Sequence, residues 1–354
     1  METVLAILGT ILVIATALPL IRRQAWWVRV FDFPRLQIAV GLALVLILHV
    51  LFIRHGTTAY AFRGVLLLCL FLQLLRMLPY TTAVKKQVQD SVNAGPGNHL
   101  RLLFANVLQS NRNGLDLLRM VQQTDPDVFL AIETDDWWCQ ALEGLAATHP
   151  YTLLQPQDNT YGMALFSRFE LIDPEVAFLV KNEVPSFHAA VRLPAGCEVR
   201  LHCLHPRPPA PNESETSAER DAELLIVGKT IRRAPGPVIV MGDMNDVAWS
   251  HTSNLFRAIS GLLDPRIGRG FFNTFNAKHW TVRFPLDHFF HSSDFRLVAF
   301  RRLPAFGSDH FPVYIHLSHE PEAQAAQAVP AADPEAKAEA TEKIAKMTRN
   351  AVSQ

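Results

Sequence analysis

The sequence contains few cysteines. Its 354 residues include four, and the first of these lies within a long hydrophobic run: Cys69, Cys139, Cys197 and Cys203. No two cysteines have the close spacing of zinc ligands, and the three outside the run are a poor count for a disulfide framework. This shortage argues against a disulfide-stabilised secreted fold and against a cysteine-rich zinc module. We interpret the cysteines as small buried thiols, which indicates a reducing compartment.

The chain also lacks an excess of charge of either sign. Lys and Arg together number 33, Asp and Glu together number 33, and the formal net charge is therefore zero. A protein that binds nucleic acid mainly through a basic field carries a clear positive excess. The composition argues against that class of protein, although it leaves local basic patches open.

Long hydrophobic runs, in contrast, concentrate near the amino terminus. They cover residues 4–21, 36–53 and 60–80, and each is near the ~20 residues that span a bilayer. A signal peptide is one alternative for the first run, but this run lacks the basic segment and the cleavage site of a signal peptide. Buried core helices are the other alternative. We predict a membrane segment of about three transmembrane helices over residues 1–83. The runs contain no acidic residue, which argues against a transporter or channel.

The distribution of Lys and Arg predicts the orientation of these helices. With three spans, the link after the first run and the large carboxy-terminal part lie on one side of the membrane. That side carries seven basic residues near the runs and the other carries two: Arg22, Arg23, Arg29, Arg35, Arg76, Lys85 and Lys86 against Arg54 and Arg63. The richer side is expected to be cytoplasmic.

The rest of the chain divides into three parts. Residues 84–98 contain Asn, Gly and Pro in close succession and are predicted to be a linker. Residues 99–318 show alternating strand and helix patterns and are predicted to form a globular domain. Residues 319–354 are rich in Ala, Glu, Lys and Pro, have little to bury, and are expected to be disordered or loosely helical.

Within the globular part, apolar periodicity predicts the regular elements. Helical spacing indicates helices at Gly114–Gln123 and Ser217–Arg232. Apolar runs between turn residues predict strands at Leu100–Val107, Asp127–Glu133, Tyr161–Phe166, Ala189–Leu193, Val199–Leu204, Pro237–Met241, Leu286–Phe290 and Val313–Leu317. Strands interleaved with helices predict a layered α/β or α+β domain.

Polar side chains stand where several of these strands end. Asp309 and His310 follow Gly307 and precede Pro312, which marks a strand end or tight loop and offers a metal ligand beside a titratable imidazole. Glu133 closes a buried strand, a suitable place for a Mg²⁺ ligand, although an acid at a helix start is the alternative. Asn106 ends another strand in the same way, with a simple turn amide as its alternative.

Asp243 and Asn245 form the sharpest local signal. They follow an apolar strand and Gly242, and residues i and i+2 of a strand point to one face. The carboxylate can serve a hard cation and the amide can donate to a phosphoryl oxygen. An Asx turn that closes the strand is an equally good interpretation.

Two further residues complete the candidate set. His205 follows a strand and precedes a proline-rich stretch, whose stiff extended exit is expected to present the ring at the strand end. Asp287 is expected to orient His310 and to raise its basicity. Its alternative is a carboxylate satisfied by local backbone.

Together these residues resemble the endonuclease/exonuclease/phosphatase superfamily, and the hydrophobic amino terminus resembles its bacterial membrane-attached branch. The resemblance covers roughly residues 100–317. The matching pieces occur in family order: Phe104–Asn106, Leu130–Glu133, Tyr161–Gly162 with Phe166–Arg168, Leu204–His205, Gly242–Asn245, Leu286–Asp287 and Gly307–His310. The resemblance implies a four-layer sandwich, with two packed mixed β-sheets flanked by helices, preceded by the transmembrane helical segment.

The resemblance also implies roles for the candidate residues. Glu133 would ligate Mg²⁺ or Mn²⁺, with Asn106 and Asp309 close to the metal. His310, oriented by Asp287, would activate water for attack at phosphorus. His205 would hold or protonate a phosphoryl oxygen. Asp243 and Asn245 would position the nucleophile and the transition-state oxygens.

The leading hypothesis is therefore a membrane-anchored, divalent-metal-dependent hydrolase of a phosphodiester or phosphomonoester. Its expected partners are a phosphoester substrate, either nucleic acid or phospholipid, and the lipid bilayer of a bacterial inner membrane; no protein partner is evident. The family does not choose the substrate. The alternative is a catalytically silent membrane scaffold that keeps the fold as a binding module, which predicts metal binding without turnover.

Overall fold

The computed structural model of the protein describes residues 1–92, 95 and 97–352. Three residues of the predicted linker, at positions 93, 94 and 96, lie outside the described residues. The described flanks of that linker pack on the globular part: Val88 is fully buried in its main core, and Arg269 pairs with Asp90 at 2.6 Å.

The amino-terminal segment is helical. It consists of α1 (Glu2–Ala17), the short α2 (Trp26–Arg29), α3 (Arg35–Phe52) and α4 (Thr57–Met77). With their 3₁₀ extensions, three of these helices are long and apolar enough to cross a membrane. They bury one small shared core that includes Leu42 and Leu66, and they expose apolar side chains elsewhere on their surface. That pattern suits an environment of lipid.

Two mixed β-sheets form the globular part. The first has the strand order β10-β11-β1-β2-β4-β3 and the second β5-β6-β7-β8-β9. The strands are β1 His99–Asn106, β2 Val128–Ile132, β3 Tyr151–Gln155, β4 Met163–Ser167, β5 Leu171–Ala177, β6 Ser186–Arg192, β7 Glu198–Leu204, β8 Val238–Asp243, β9 Asp287–His291, β10 Phe295–Arg302 and β11 Val313–His319. Each sheet has a single parallel pair near its centre, β1 with β2 and β7 with β8.

The sheets pack face to face. Their inner faces share a core of fully buried side chains such as Phe104, Leu130, Ile239 and Phe289. Helices α5 (Gly114–Thr124) and α6 (Asp136–Ala141) lie outside the first sheet, and α7 (Ala218–Arg233) and α8 (His251–Ser260) lie outside the second. The predicted four-layer arrangement is confirmed, because strands with two apolar faces need cover on both sides.

The tail contains a packed helix, α9 (Pro334–Val352). Ala340 of this helix is fully buried against Leu225 of α7 and Leu255 of α8. Lys343 donates to Asp221 at 3.0 Å, so the inner face of the helix is tied to α7. The expectation of a disordered or loosely helical tail is corrected in this respect: the few apolar residues align on one face, which the overall composition did not show.

The amino-terminal helical segment docks on the globular part. Tyr80, at the end of the third span, packs with Trp249 and Leu286. The Trp249 Nε1 group donates to the carbonyl of Asp32 at 2.7 Å, and the Tyr80 hydroxyl donates to the carbonyl of Ala248 at 2.6 Å. These contacts place the globular part at the end of the helices that holds residues 24–37 and Tyr80.

Candidate active site

The predicted residues meet at one end of the sandwich. The carboxyl ends of parallel neighbours lie at the same edge of a sheet, so β1 and β2 bring together Asn106 and Glu133. In the second sheet, β7 and β8 bring together His205 and Asp243. Asn106 Nδ2 lies 3.5 Å from Asp243 Oδ2, a contact that joins the two sheets at this end.

Gly242 allows this approach within the second sheet. Its φ of +143° is a conformation that side chains rarely adopt, and a Cβ there would lie 1.9 Å from the carbonyl oxygen of Leu204. Only glycine fits between the ends of β7 and β8. The residue therefore sets the position of Asp243, which follows it directly.

Asn106 holds Glu133. The backbone N–H of Leu108 donates to Asn106 Oδ1 at 3.0 Å, and Asn106 Nδ2 donates to Glu133 Oε1 at 2.7 Å. Because a backbone N–H can only donate, the Leu108 bond fixes which end of the amide faces the carboxylate. The nitrogen end faces Glu133, so Asn106 is placed to orient that carboxylate. Gln109, which the sequence analysis did not select, donates its N–H to Glu133 Oε2 at 3.4 Å.

Asp243 and Asn245 are joined by a turn. Strand β8 ends at Asp243, and Asn245 has a φ of +49°. The Asn245 N–H donates to Asp243 Oδ1 at 2.8 Å, which is the Asx turn that the sequence left open as an alternative. The expectation that both residues lie on a continuing strand is wrong. Asn245 Nδ2 donates instead to the carbonyl of Pro206 at 3.0 Å, next to His205.

His310 lies between two carboxylates. Its Nδ1 is 3.1 and 3.0 Å from the two oxygens of Asp287, and its Nε2 is 3.6 Å from Asp243 Oδ2. All three side chains are buried. The ring of Phe275 lies 5.0 Å from the imidazole and covers it.

Ser308 connects this group to the first sheet. Its hydroxyl donates to the carbonyl of Asn106 at 2.8 Å and accepts from the N–H of His310 at 3.0 Å. Ser308 lies inside the Gly307–His310 motif. Its position in that motif was the signal by which the sequence could have identified it as a site residue. Phe275 and Gln109 had no such signal, because only the tertiary fold brings them to the site.

The charges of this cluster determine the protonation of His310. Burial opposes the charged imidazolium, but Asp287 and Asp243 outweigh it and raise the pKa of His310 to about 10. Burial, with the neighbouring charge of Asp287, raises the pKa of Asp243 to about 7. Burial also raises the pKa of Glu133. The cluster thus holds a protonated imidazole near two carboxyl groups, Asp243 and Glu133, whose pKa values are raised.

His205 has the opposite character. Burial, followed by the charge of His310, lowers its pKa to about 3, so the ring is neutral near pH 7. Its Nδ1 is buried and has no hydrogen-bond partner within the described part of the chain. The ring centroid of Tyr161 lies 5.4 Å from that of His205, so the Tyr161–Gly162 motif is located beside the candidate active site.

Glu133 and Asp309 offer carboxylate oxygens that could hold a hard divalent cation. Asp309 is half-buried, its Oδ1 has no hydrogen-bond partner among the described residues, and its charge contributes to the raised pKa of Glu133. Carboxylate oxygens of this kind are the ligands that Mg²⁺ and Mn²⁺ prefer. Four carboxyl groups around one imidazolium leave negative charge that a cation would offset.

Another grouping could also hold a metal: ligand atoms of Asp243, Asp287 and His310 lie within 4.8 Å of one another. It differs from the predicted set of Asn106, Glu133 and Asp309. Both Asp287 oxygens face His310 Nδ1, so we assign this triad to proton chemistry.

The chain belongs to the endonuclease/exonuclease/phosphatase family. The model described as "Endonuclease/Exonuclease/phosphatase family" matches residues 103–310, more than half of the chain. The matched range includes every candidate residue named above. Members of this family generally hydrolyse phosphoester bonds and depend on a divalent metal. Among curated proteins, none matches the chain.

Solved structures share the fold. A humanised D. rerio TDP2 is 17% identical, covers 62% of this chain and 99% of its own, and has a TM-score of 0.52. An endonuclease/exonuclease/phosphatase from Beutenbergia cavernae is 17% identical, covers 63% and 72%, and has a TM-score of 0.51. The human Nocturnin catalytic domain is 15% identical, covers 62% and 94%, and has a TM-score of 0.50. Each likeness covers 62–63% of this chain.

Proposed function

We propose that this protein is a membrane-anchored, divalent-metal-dependent phosphoesterase that hydrolyses a phosphodiester or phosphomonoester with water. One observation carries the proposal: Glu133, Asp243, Asp287 and Asp309 surround His310 at one end of a sandwich of this family. A cation site, a proton acceptor and a donor for developing charge are the parts that metal-assisted phosphoryl chemistry requires.

Glu133 and Asp309 would hold Mg²⁺ or Mn²⁺, and Asn106 would orient Glu133. The bound cation would supply Lewis-acid stabilisation of the phosphoryl oxygens. The backbone supports this role, because Glu133 has a φ of +61°. A left-handed conformation in a non-glycine residue is costly and persists where the surroundings require it.

The charges change the role that we assign to His310. A general base must be unprotonated at the working pH, and Asp287 and Asp243 favour the protonated ring. We therefore assign the proton of the attacking water to Asp243, whose raised pKa lies near neutrality. His310 would stabilise the charge that develops on the phosphoryl group, with Asp287 fixing the ring through Nδ1.

Asn245 and His205 complete the arrangement. Because Asn245 Nδ2 is held by the carbonyl of Pro206, its Oδ1 can accept a hydrogen bond from the attacking water. The neutral His205 ring has a buried nitrogen available for a phosphoryl oxygen. We assign it to binding that oxygen.

The location that we propose is a bacterial inner membrane, with several spans and the globular part in the cytoplasm. Three apolar helices and the excess of basic residues on one side support it. The docking of residues 24–37 on the globular part agrees with both lying on one side.

The full chain in nanodiscs tests the proposal. Hydrolysis of bis(4-nitrophenyl) phosphate and of 4-nitrophenyl phosphate is followed against added Mg²⁺ or Mn²⁺ after chelation. We expect metal-dependent turnover, reduced by about a hundredfold or more in Glu133→Gln, because the variant loses a cation ligand. Glu175→Gln, on the exposed outer strand β5, is the matched control and should retain activity.

Binding of Mn²⁺ without hydrolysis of either ester, or of an oligonucleotide or a phospholipid, would contradict the enzyme and favour the scaffold. Turnover that is unaffected by Glu133→Gln would place the metal elsewhere.

A further inference from the structure

The loop of residues 276–283, here named the Trp280 loop, exposes an aromatic side chain. Trp280 is 81% exposed, the largest fraction among the exposed hydrophobic side chains of the described chain, and Val282 is exposed as well. An indole that is this exposed gains little free energy from burial within the fold. Tryptophan is, however, enriched at the membrane–water interface, where its amphipathic ring is well accommodated.

The Trp280 loop is attached to the end of a span. Gln37, in the first turn of α3, donates to the carbonyl of Thr281 at 2.7 Å. Phe33, just before that span, packs edge-on against Phe284 with 5.6 Å between ring centroids. Trp280 is thus one residue from a direct contact with a helix that can cross the membrane. The expected bilayer surface therefore lies at this loop.

The loop and its neighbours carry positive charge. Lys278 is exposed, and the guanidinium groups of Arg283 and Arg302 lie 5.0 and 4.3 Å from the ring centre of Phe311. Residues 265–286 contain no acidic residue. Aromatic and basic side chains together are typical of surfaces that bind anionic lipid.

The same loop forms a wall of the candidate active site. The N–H of Ala277 donates to the carbonyl of Asp309 at 2.6 Å, and Phe275, just before the loop, covers His310. The residues expected at the bilayer surface around Trp280 are therefore adjacent in the chain to residues that line the candidate active site.

A second loop beside the site is attached to the membrane segment too. The backbone of Ala25 forms a β-bridge with Thr216, and the N–H of Trp26 donates to the backbone carbonyl of Glu215 at 2.9 Å, in the stretch that follows His205. The third attachment, Trp249 to Asp32, is in the stretch that follows Asn245. Membrane contacts thus hold the loops on one side of the site.

We propose that the Trp280 loop lies in the bilayer interface and that the substrate is a phospholipid of the same membrane. This inference rests on the proposed function and names its substrate class. Water attacks the phosphorus of the headgroup phosphoester, the bond from phosphorus to the leaving oxygen breaks, and that oxygen leaves with a proton. The basic residues of the loop bind the anionic headgroups around the site.

The experiment uses the full chain in nanodiscs of phosphatidylethanolamine, phosphatidylglycerol and cardiolipin, with Mg²⁺ or Mn²⁺. Release of phosphorylated or dephosphorylated lipid products is compared with hydrolysis of bis(4-nitrophenyl) phosphate and of a single-stranded oligonucleotide. In Trp280→Ser, hydrolysis of the bilayer lipid should fall about tenfold while that of the soluble ester is unchanged, because only the lipid depends on interfacial seating. Tyr151→Ser, an exposed aromatic on the edge strand β3, should leave both rates unchanged.

Two outcomes overturn the inference. If the oligonucleotide is cleaved and no lipid is, the substrate class is wrong while the proposed function stands; D. rerio TDP2, a relative of this fold, is described with a single-strand DNA product. If Trp280→Ser lowers the rates of lipid and soluble-ester hydrolysis equally, the loop contributes to folding or to the chemical step and not to binding at the bilayer interface.

A second measurement does not depend on activity. Brominated lipids quench indoles that lie in the interface, so wild type should lose more fluorescence than Trp280→Phe. Equal quenching would overturn the position of the loop. Quenching at Trp280 without hydrolysis of any ester would contradict the proposed function and, with it, the phospholipid substrate, while the position of the loop would stand.

Discussion

The Asp287 carboxylate makes its closest side-chain contact with His310, and we expect it to act mainly through that ring. Both carboxylate oxygens lie within 3.1 Å of His310 Nδ1, and this contact keeps the ring charged and oriented. Asp287→Asn removes the charge and keeps the shape. We expect the rate of hydrolysis of bis(4-nitrophenyl) phosphate to fall by up to roughly ten-thousandfold, the loss found when another orienting Asp is replaced by Asn.

A matched control is available in the same domain. Asp294 is also buried, and it pairs with His319 at 3.5 Å. This pair lies at the end of the sandwich opposite to the candidate active site, where β1 begins and β11 ends. Asp294→Asn should leave the rate within about twofold of wild type, because energetic coupling between groups that far apart is weak. An equal loss in both variants would mean that the effect is one of folding.

Glu223, on α7, provides a prediction about pH and stability. Burial raises its pKa from 4.5 to about 8, and its Oε1 has no hydrogen-bond partner among the described residues. The folded state therefore keeps a proton that the unfolded state releases, and the free energy of unfolding falls as the pH rises from about 5 to 8. The loss is at most about 4 to 5 kcal/mol, at about 1.4 kcal/mol per pKa unit.

Unfolding midpoints at pH 5 and pH 8 measure this effect. Glu223→Gln should flatten the decline, since the amide does not ionise. Glu143→Gln, on an exposed position, should keep the wild-type dependence. The same slope in wild type and Glu223→Gln would show that this carboxyl group does not titrate differently on folding.

At the scale of elements, the strands that apolar periodicity did not predict share one property. They are β3, β5 and β10, and each lies at the edge of its sheet. An edge strand has a partner on one side only and tolerates exposed or irregular residues: β5 contains Pro174, and β10 contains a register shift. Central strands are apolar on both faces, which is why their positions were predictable.

Helix α9 yields a prediction at this scale. Ala340→Leu places extra methyl groups in the fully buried contact with α7 and α8, and should lower the free energy of unfolding by about 1–3 kcal/mol. Ala338→Leu, on the exposed face of the same helix, is the control and should have little effect. Hydrogen exchange of the α9 amides should speed up in the first variant alone. Unchanged exchange would indicate that the helix does not depend on this contact.

At the scale of the whole molecule, the topology is open to direct measurement. With three spans, residues 53–56 lie on the opposite side from the globular part, and the basic excess places the latter in the cytoplasm. Green fluorescent protein fused after residue 354 should fluoresce, and alkaline phosphatase inserted at Gly56 should be active. Active phosphatase at the carboxyl terminus would place the domain outside and would reverse the orientation.

Composition alone could not relate the three apolar helices to the candidate active site. Hydrophobic length predicted the spans, because a bilayer requires about 20 apolar residues whatever they later contact. Nothing in that length indicated that Asp32, Gln37 and Tyr80 would contact loops beside the candidate active site. Those contacts join positions far apart in the chain.

The sequence by itself determined the three apolar helices, the central strands, the family motifs and the eight candidate residues, because hydrophobic period and strand-end motifs are local signals. Only the tertiary structure decided which side chains act together. It turned the Asp243–Asn245 pair into an Asx turn, directed the amide of Asn106 to Glu133, and placed Trp280 beside a span. Protonation was decided there as well, since the pKa of His310 depends on the charges of Asp243 and Asp287, which are distant in the chain and near only in the fold.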